Sequence, residues 1–312
     1  MTRQLSMARL VREYIDHRRQ LGFELASAQR ILLDFARYAD RQKHHGPITA
    51  DLVIRWVNLP KGAAAGYLAS RLNIVRGFAR FRAIFDPRTE IPPTHALGAA
   101  IRRKVPYILT PSEIAAILRA ARQLPPAGSL RPHTYTTLLG LVACTGLRHR
   151  EVLRLDRFDI DWNQHLLHVR KTKFRKSRIV PLHASTIEEL ARYAQLRDQR
   201  YPVPRTDAFF VSMRGTRLAE PTVQATFILL RNSLIWNGCS SRGYPRIHDL
   251  RHTFACRRLL QWYHDGADLH RAVPSLSTYL GHTNVRDTYW YITGIPELLG
   301  IAGSRFEHFA SL

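Results

Sequence analysis

Four prolines between Asp86 and Leu109 (Pro87, Pro92, Pro93 and Pro106) constrain this chain more than any other feature. Proline has no amide proton and a fixed φ, so neither a helix nor a central strand runs through such a stretch. The 312 residues therefore fall into a first domain over 1–86, a linker over 87–109 and a second domain over 110–312, a length that suits two ordinary domains. The second domain starts sharply at Thr110-Pro111-Ser112-Glu113. Thr110 can cap, Pro111 suits the first helical position, and Glu113 closes a capping box.

The first domain reads as helices. Met7, Leu10, Val11, Tyr14 and Ile15 keep helical spacing. Ser27 is expected to cap a second helix with Ile31, Leu32 and Phe35 on its apolar side. Thr49 starts a third, through Leu52, Ile54, Trp56 and Val57, and a fourth covers about 63–85. Arg71, Arg76, Arg80 and Arg82 on that fourth helix are expected to face phosphates. No catalytic constellation lies in this bundle. The second domain is mixed. A helix is expected over 133–144, then short strands at 158–160, 166–169 and 179–182, then helices near 185–199, 221–235 and 249–263. The fold class is thus mainly α, with a helical bundle followed by an α+β domain that holds a small antiparallel sheet. The tail over 298–312 carries a weak apolar pattern (Leu299, Ile301, Phe306, Phe309) compatible with docking onto a neighbour.

Lys and Arg number 47 against 24 Asp and Glu, a net charge of +23. The excess is spread, with 16 basic against 8 acidic residues in 1–100 and 31 against 16 in the rest. A polyanion touching both domains accounts for this, whereas a typical metabolic enzyme does not need it. Binding driven by counterion release weakens steeply with salt. Cys144, Cys239 and Cys256 are too dispersed for a Cys-x-x-Cys site, and three cysteines cannot all pair. Arg9, Arg12, Glu13 and Asp16 interrupt any leader-like apolar run, and no stretch approaches the roughly 18 apolar residues of a membrane span. The expectation is a reduced protein with no membrane association, in the cytoplasm and at the nucleoid.

Four segments carry chemistry: Thr145-Gly146-Leu147-Arg148 with Glu151; Lys173 in the basic run 170–178; His248-Asp249-Leu250-Arg251-His252; and Leu280-Gly281-His282 with Tyr291 nine residues on. Arginine offers fixed charge and a planar fork that matches phosphate. Arg148 and Arg251 can clamp one phosphate and act most strongly where charge builds up in the transition state. A phenol, with a pKa near 10, needs such positive charge and a base to attack at neutral pH. The order and spacing of these segments resemble the tyrosine recombinase (phage integrase) family from about Thr110 to Thr293, and the first domain resembles that family's core-binding domain in outline.

The resemblance implies a site-specific DNA recombinase that needs no metal, cofactor or ATP, because a 3′-phosphotyrosyl link keeps the phosphodiester energy. It implies Tyr291 as nucleophile, with Tyr289 and Tyr279 as the competitors, and Arg148 and Arg251 on the scissile phosphate. His282 would bond a non-bridging oxygen, His248 would handle a proton near the nucleophile, and Lys173 would protonate the leaving oxygen. Thr172 and Phe174 stand where the family usually has glycines beside that lysine, and Lys171 and Lys176 are its rivals. Glu151 is expected to orient a catalytic group, and Asp249 and His252 to hold their helix by hydrogen bonds. Expected DNA contacts also include Arg102, Arg103, Lys104, Lys171, Arg175, Lys176 and Arg178. The implied partner is double-stranded DNA at specific sites, with a homotetramer on two of them, in the service of a mobile element. A type IB topoisomerase and a non-catalytic DNA-binding protein of the same fold remain the alternatives at this point.

Overall fold

The structure, a computed structural model, describes residues 6–98, 105–170, 177–236 and 243–293. Lys171, Lys173, Arg175, Lys176, Arg102, Arg103, Lys104 and the tail over 298–312 lie outside the described residues. The chain divides into two compact units, Met1–Arg103 and Lys104–Leu312.

The first unit holds α1 (Met7–Gln20), α2 (Ala26–Arg41), α3 (Ala50–Val57) and α4 (Ala65–Ala83). Apolar residues at helical spacing meet in one core that includes Val11, Leu32, Phe35, Trp56, Val75 and Phe78. The Thr49 hydroxyl caps α3 by accepting from the Leu52 amide at 3.3 Å. Ser27 does not cap α2: the capping position is Leu25, two residues earlier, in the left-handed region at φ 48°.

Two arginines of α4 depart from expectation. Arg71 and Arg76 are 5% and 8% exposed, so they do not present a phosphate-facing side. Their neighbours Leu72, Val75 and Ala79 belong to the core, and the two side chains turn inward with them. The Arg71 guanidinium lies 3.7 Å from the centre of the Trp56 ring and donates to the Trp56 carbonyl at 3.2 Å. Arg76 donates to the carbonyl of Pro92 at 2.6 Å and to Thr94 at 3.0 Å. Those bonds, with the Glu90 amide on the Ile48 carbonyl at 2.8 Å, fold the first part of the expected linker onto the helical unit. At the other end of that segment Tyr107 and Leu109 are buried in the second unit's core.

The second unit opens with α5 (Pro111–Arg122), whose Thr110–Glu113 capping box is complete. Helix α6 (Leu130–Thr145) is buried on several sides, through Leu138, Leu139, Leu141 and Val142. After the short α7 (His149–Leu153), strands β1 (Ile160–Asp161), β2 (Leu166–Val169) and β3 (Arg178–Pro181) form an antiparallel sheet in chain order. Leu167 faces Ile160 on one side and Val180 on the other. Phe158 and Asp159 belong to a short 3-10 turn rather than a strand. Helices α8 (Ala184–Arg200), α9 (Glu220–Asn232), α10 (Ile247–His264), α11 (Leu269–Leu280) and α12 (Arg286–Thr293) complete the described part. The last two are not evident in the sequence pattern. They pack with α10 around Cys256, Leu259, Val273, Leu276 and Leu280. Among the described residues no helix is long and apolar enough to cross a membrane.

Candidate active site

The site is built where helix ends meet. Gly146 ends α6 in the left-handed conformation at φ 64° and turns the chain into α7. A side chain there would run into the Phe254 ring on α10, so glycine is required both by φ and by the close packing. Two residues on, Arg148 precedes the first turn of α7. Its amide donates to Glu151 Oε2 at 3.0 Å, its Nη1 to Glu151 Oε1 at 2.8 Å, and its Nη2 to the Gly281 carbonyl at 3.0 Å.

Arg251, on α10, is 1% exposed. Its Nη1 donates to the Gly146 carbonyl at 2.7 Å and its Nη2 to the Leu280 carbonyl at 2.8 Å. Burial, then the nearby charge of Arg148, pulls its pKa down to about 10, which leaves it charged at neutral pH. Each guanidinium carries five N–H donors, more than these bonds use. Arg148 and Arg251 therefore converge on the same two turns, at Gly146 and at Leu280–Gly281, although about a hundred residues of chain separate them.

Arg178 corrects another expectation. It opens β3 on the same face as the core residue Val180, because strand side chains alternate. Its Nε donates to the Tyr279 carbonyl at 2.7 Å, and its Nη1 and Nη2 reach the two oxygens of Glu151 at 3.1 and 2.8 Å. It is thus held inside the site by the same carboxylate that holds Arg148. Gly281, at φ 68°, lies so close that an added Cβ would sit 2.7 Å from Arg178 Nη1. Burial alone would raise the Glu151 carboxyl, but Arg178 and then Arg148 bring it down to about 2. Glu151 therefore joins two arginines from two elements.

Helix α10 also places His248, Asp249 and His252. Asp249 accepts from the Arg246 amide at 2.7 Å and from its side chain at 3.0 Å, which anchors the start of the helix. The rings of His248 and His252 meet edge to face at 4.6 Å. Burial, then His252, Arg251 and His149, pushes the His248 pKa down to about 3, so it is neutral at physiological pH. His252 does more than brace its helix: its Nδ1 lies 3.1 Å from the Tyr291 hydroxyl. The reason is spacing, since residues three and four apart share a helix face and α12 packs on that face.

Helix α11 ends at Gly281, and the His282 amide returns to the Ser277 carbonyl at 2.9 Å. His282 Nδ1 lies 2.7 Å from the Thr288 hydroxyl, and its ring stacks near that of Tyr291 at 6.1 Å. Thr288 and Tyr291 are one helical turn apart on α12, so a single turn carries both the partner of His282 and the phenol. Tyr291 is 2% exposed, whereas Tyr289 is 43% exposed. Tyr279 stacks on Phe254 at 5.7 Å, and burial, then Cys144, raises its pKa to about 12. The Tyr291 hydroxyl lies within hydrogen-bond distance of His252 in this cluster. The structure thus brings Arg148, Glu151, His248, Arg251, His252, His282 and Tyr291 together and adds Arg178 to them.

Residues 108–295 match the phage integrase family. The chain belongs to that family. This tyrosine recombinase is 41% identical over 303 residues to y4rB of Sinorhizobium fredii, which is named an integrase/recombinase, covering 95% of this chain and 96% of the relative. It is 31% identical over 221 residues to the tyrosine recombinase XerC of Chlamydia trachomatis, covering 71% and 64%. Its fold is that of a Tn1549 transposon integrase in complex with transposon right end DNA, at TM-score 0.69 and 17% identity over 98% and 100% of the two chains. XerH recombinase bound to its difH substrate is similar at TM-score 0.60 and 18% identity over 89% and 78%. The family assigns this recombinase to the enzymes of site-specific recombination.

Proposed function

We propose that the partner of this recombinase is double-stranded DNA, and that Tyr291 attacks a scissile phosphate to leave a 3′-phosphotyrosyl link and a free 5′-hydroxyl. Arg148 and Arg251 take the non-bridging oxygens, where charge grows as the pentacovalent state forms. His282, its Nδ1 turned to Thr288 at 2.7 Å, bonds one of those oxygens. His248, kept neutral, suits hydrogen-bond donation to the phosphate. Lys173, outside the described residues, protonates the departing 5′ oxygen. Reversal by a 5′-hydroxyl from a partner strand completes exchange, in a tetramer on two sites. The chain serves a mobile element and works at the nucleoid. The likeness to y4rB and to the transposon integrase supports the mobile-element role.

One observation carries the reading. Arg148 and Arg251 are both anchored to the turn that presents His282, through the carbonyls of Gly281 and Leu280. The test is a duplex of the element's joined ends, nicked beside the cleavage point so that the 5′-hydroxyl fragment diffuses away. The expected result is a protein–DNA adduct stable in detergent, formed without metal or nucleotide. Binding without any adduct would leave only an architectural protein.

A further inference from the structure

We propose that His252 is a catalytic residue: its Nδ1 takes the proton of the Tyr291 hydroxyl as the phenolic oxygen bonds to phosphorus. The inference rests on the recombinase reading above and adds to it the identity of the base. His252 and His282 lie beside the phenol ring, His248 packs on His252, and the family resemblance gives the proton-handling role to His248. The geometry distinguishes them. His282 has Nδ1 committed to the Thr288 hydroxyl at 2.7 Å. His248 meets the edge of His252 at 4.6 Å between ring centres. His252 puts Nδ1 3.1 Å from the oxygen that must lose its proton, within the 2.6–3.2 Å reach expected of a general base.

The His252 ring is also fixed. It is 5% exposed and packed between the rings of His248, Trp290 and Tyr291 at 4.6, 5.7 and 5.5 Å. A base held this way loses no rotamer freedom when the reaction begins. The groups facing it are His248 and Arg251 on its own helix, Tyr291 on α12, and His282 across the phenol ring. The positive charge of Arg251 opposes an imidazolium, and the phosphorane's negative charge, forming beside Arg251, offsets that opposition. His248, with its pKa near 3, is a poor proton acceptor and a good neutral donor.

The step balances. The Tyr291 O–H bond breaks and its proton moves to Nδ1. An oxygen lone pair forms the P–O bond, and the bond to the 5′ oxygen breaks with a proton supplied from the general acid. On rejoining, the imidazolium returns its proton to the phenol.

The experiment measures single-turnover adduct formation on the nicked duplex between pH 5 and 9 for wild type, His252→Ala and His252→Asn. Asn keeps an acceptor near the Nδ1 position but cannot take a proton. Both variants are expected to lose on the order of 10²–10³-fold in rate with DNA affinity unchanged within about twofold, and with the acidic limb of the wild-type profile replaced by a steady rise with pH. Incorporating 3,5-difluorotyrosine at position 291 lowers the phenol pKa and is expected to rescue the variants far more than wild type. Wild-type rates in both variants, or a loss that the acidic phenol does not rescue, would overturn the assignment to His252. A wild-type protein that forms no adduct at all would instead overturn the function on which it rests.

Discussion

Replacing Glu151 by Gln removes one negative charge and nearly no volume from between two arginines. The carboxylate is 7% exposed and accepts from Arg148 Nη1 at 2.8 Å, Arg178 Nη2 at 2.8 Å and the Arg148 amide at 3.0 Å. Its pKa falls from 4.5 to about 2 in the folded chain, which corresponds to about 3 kcal/mol of stability at pH 7. Because the folded value lies below the unfolded one, this contribution is complete above pH 4.5 and disappears as pH falls through 2. At pH 3.5 about 2 kcal/mol of it remains. Urea unfolding of wild type and Glu151→Gln at both pH values, followed by circular dichroism, measures the difference. The expected gap is about 3 kcal/mol at pH 7 and about 2 kcal/mol at pH 3.5. A gap below about 1 kcal/mol at pH 7, the range of a surface pair, or one that does not narrow with acid, would refute the view of Glu151 as the joint between Arg148 and Arg178.

Gly281→Ala must place a Cβ 2.7 Å from Arg178 Nη1 at φ 68°; we expect a loss of about 1–3 kcal/mol and slower adduct formation, read by thermal melting and the nicked duplex. Arg71→Ala is expected to lower the helical unit's stability by about 1–2 kcal/mol and leave the salt dependence of DNA binding unchanged. Arg80→Ala, at an exposed position of α4, should instead reduce the log–log salt slope by about 0.9. For His248 the folded pKa of about 3 lies below the ordinary 6.5, so the unfolded chain binds the proton first and stability falls as pH drops from 6.5 towards 3. His248→Gln should flatten that fall by up to about 2 kcal/mol between pH 7 and pH 5, measured by urea unfolding.

Local rules with few competing solutions were legible in the sequence. The short run Leu166-Leu167-His168-Val169 located β2, and the capping box at Thr110 located the start of α5, because each depends on adjacent residues. The Arg148, Arg251, His282 and Tyr291 positions were legible from motif spacing. What the sequence concealed was direction. Arg71 and Arg76 look like any surface arginines, yet they share a helix face with Leu72, Val75 and Ala79, and that periodicity was the available signal. Arg178 likewise shares strand parity with Val180. His252 was concealed because its partner lies 39 residues away on a short helix whose packing no local pattern announces.

The account depends most on which phenol becomes bonded to DNA. Protease digestion of the trapped adduct, followed by mass spectrometry of the DNA-bearing peptide, identifies it. The expected linkage is on Tyr291, with no adduct in Tyr291→Phe and an undiminished adduct in Tyr289→Phe. A linkage on Tyr289 or Tyr279, or an adduct that survives in Tyr291→Phe, would contradict it.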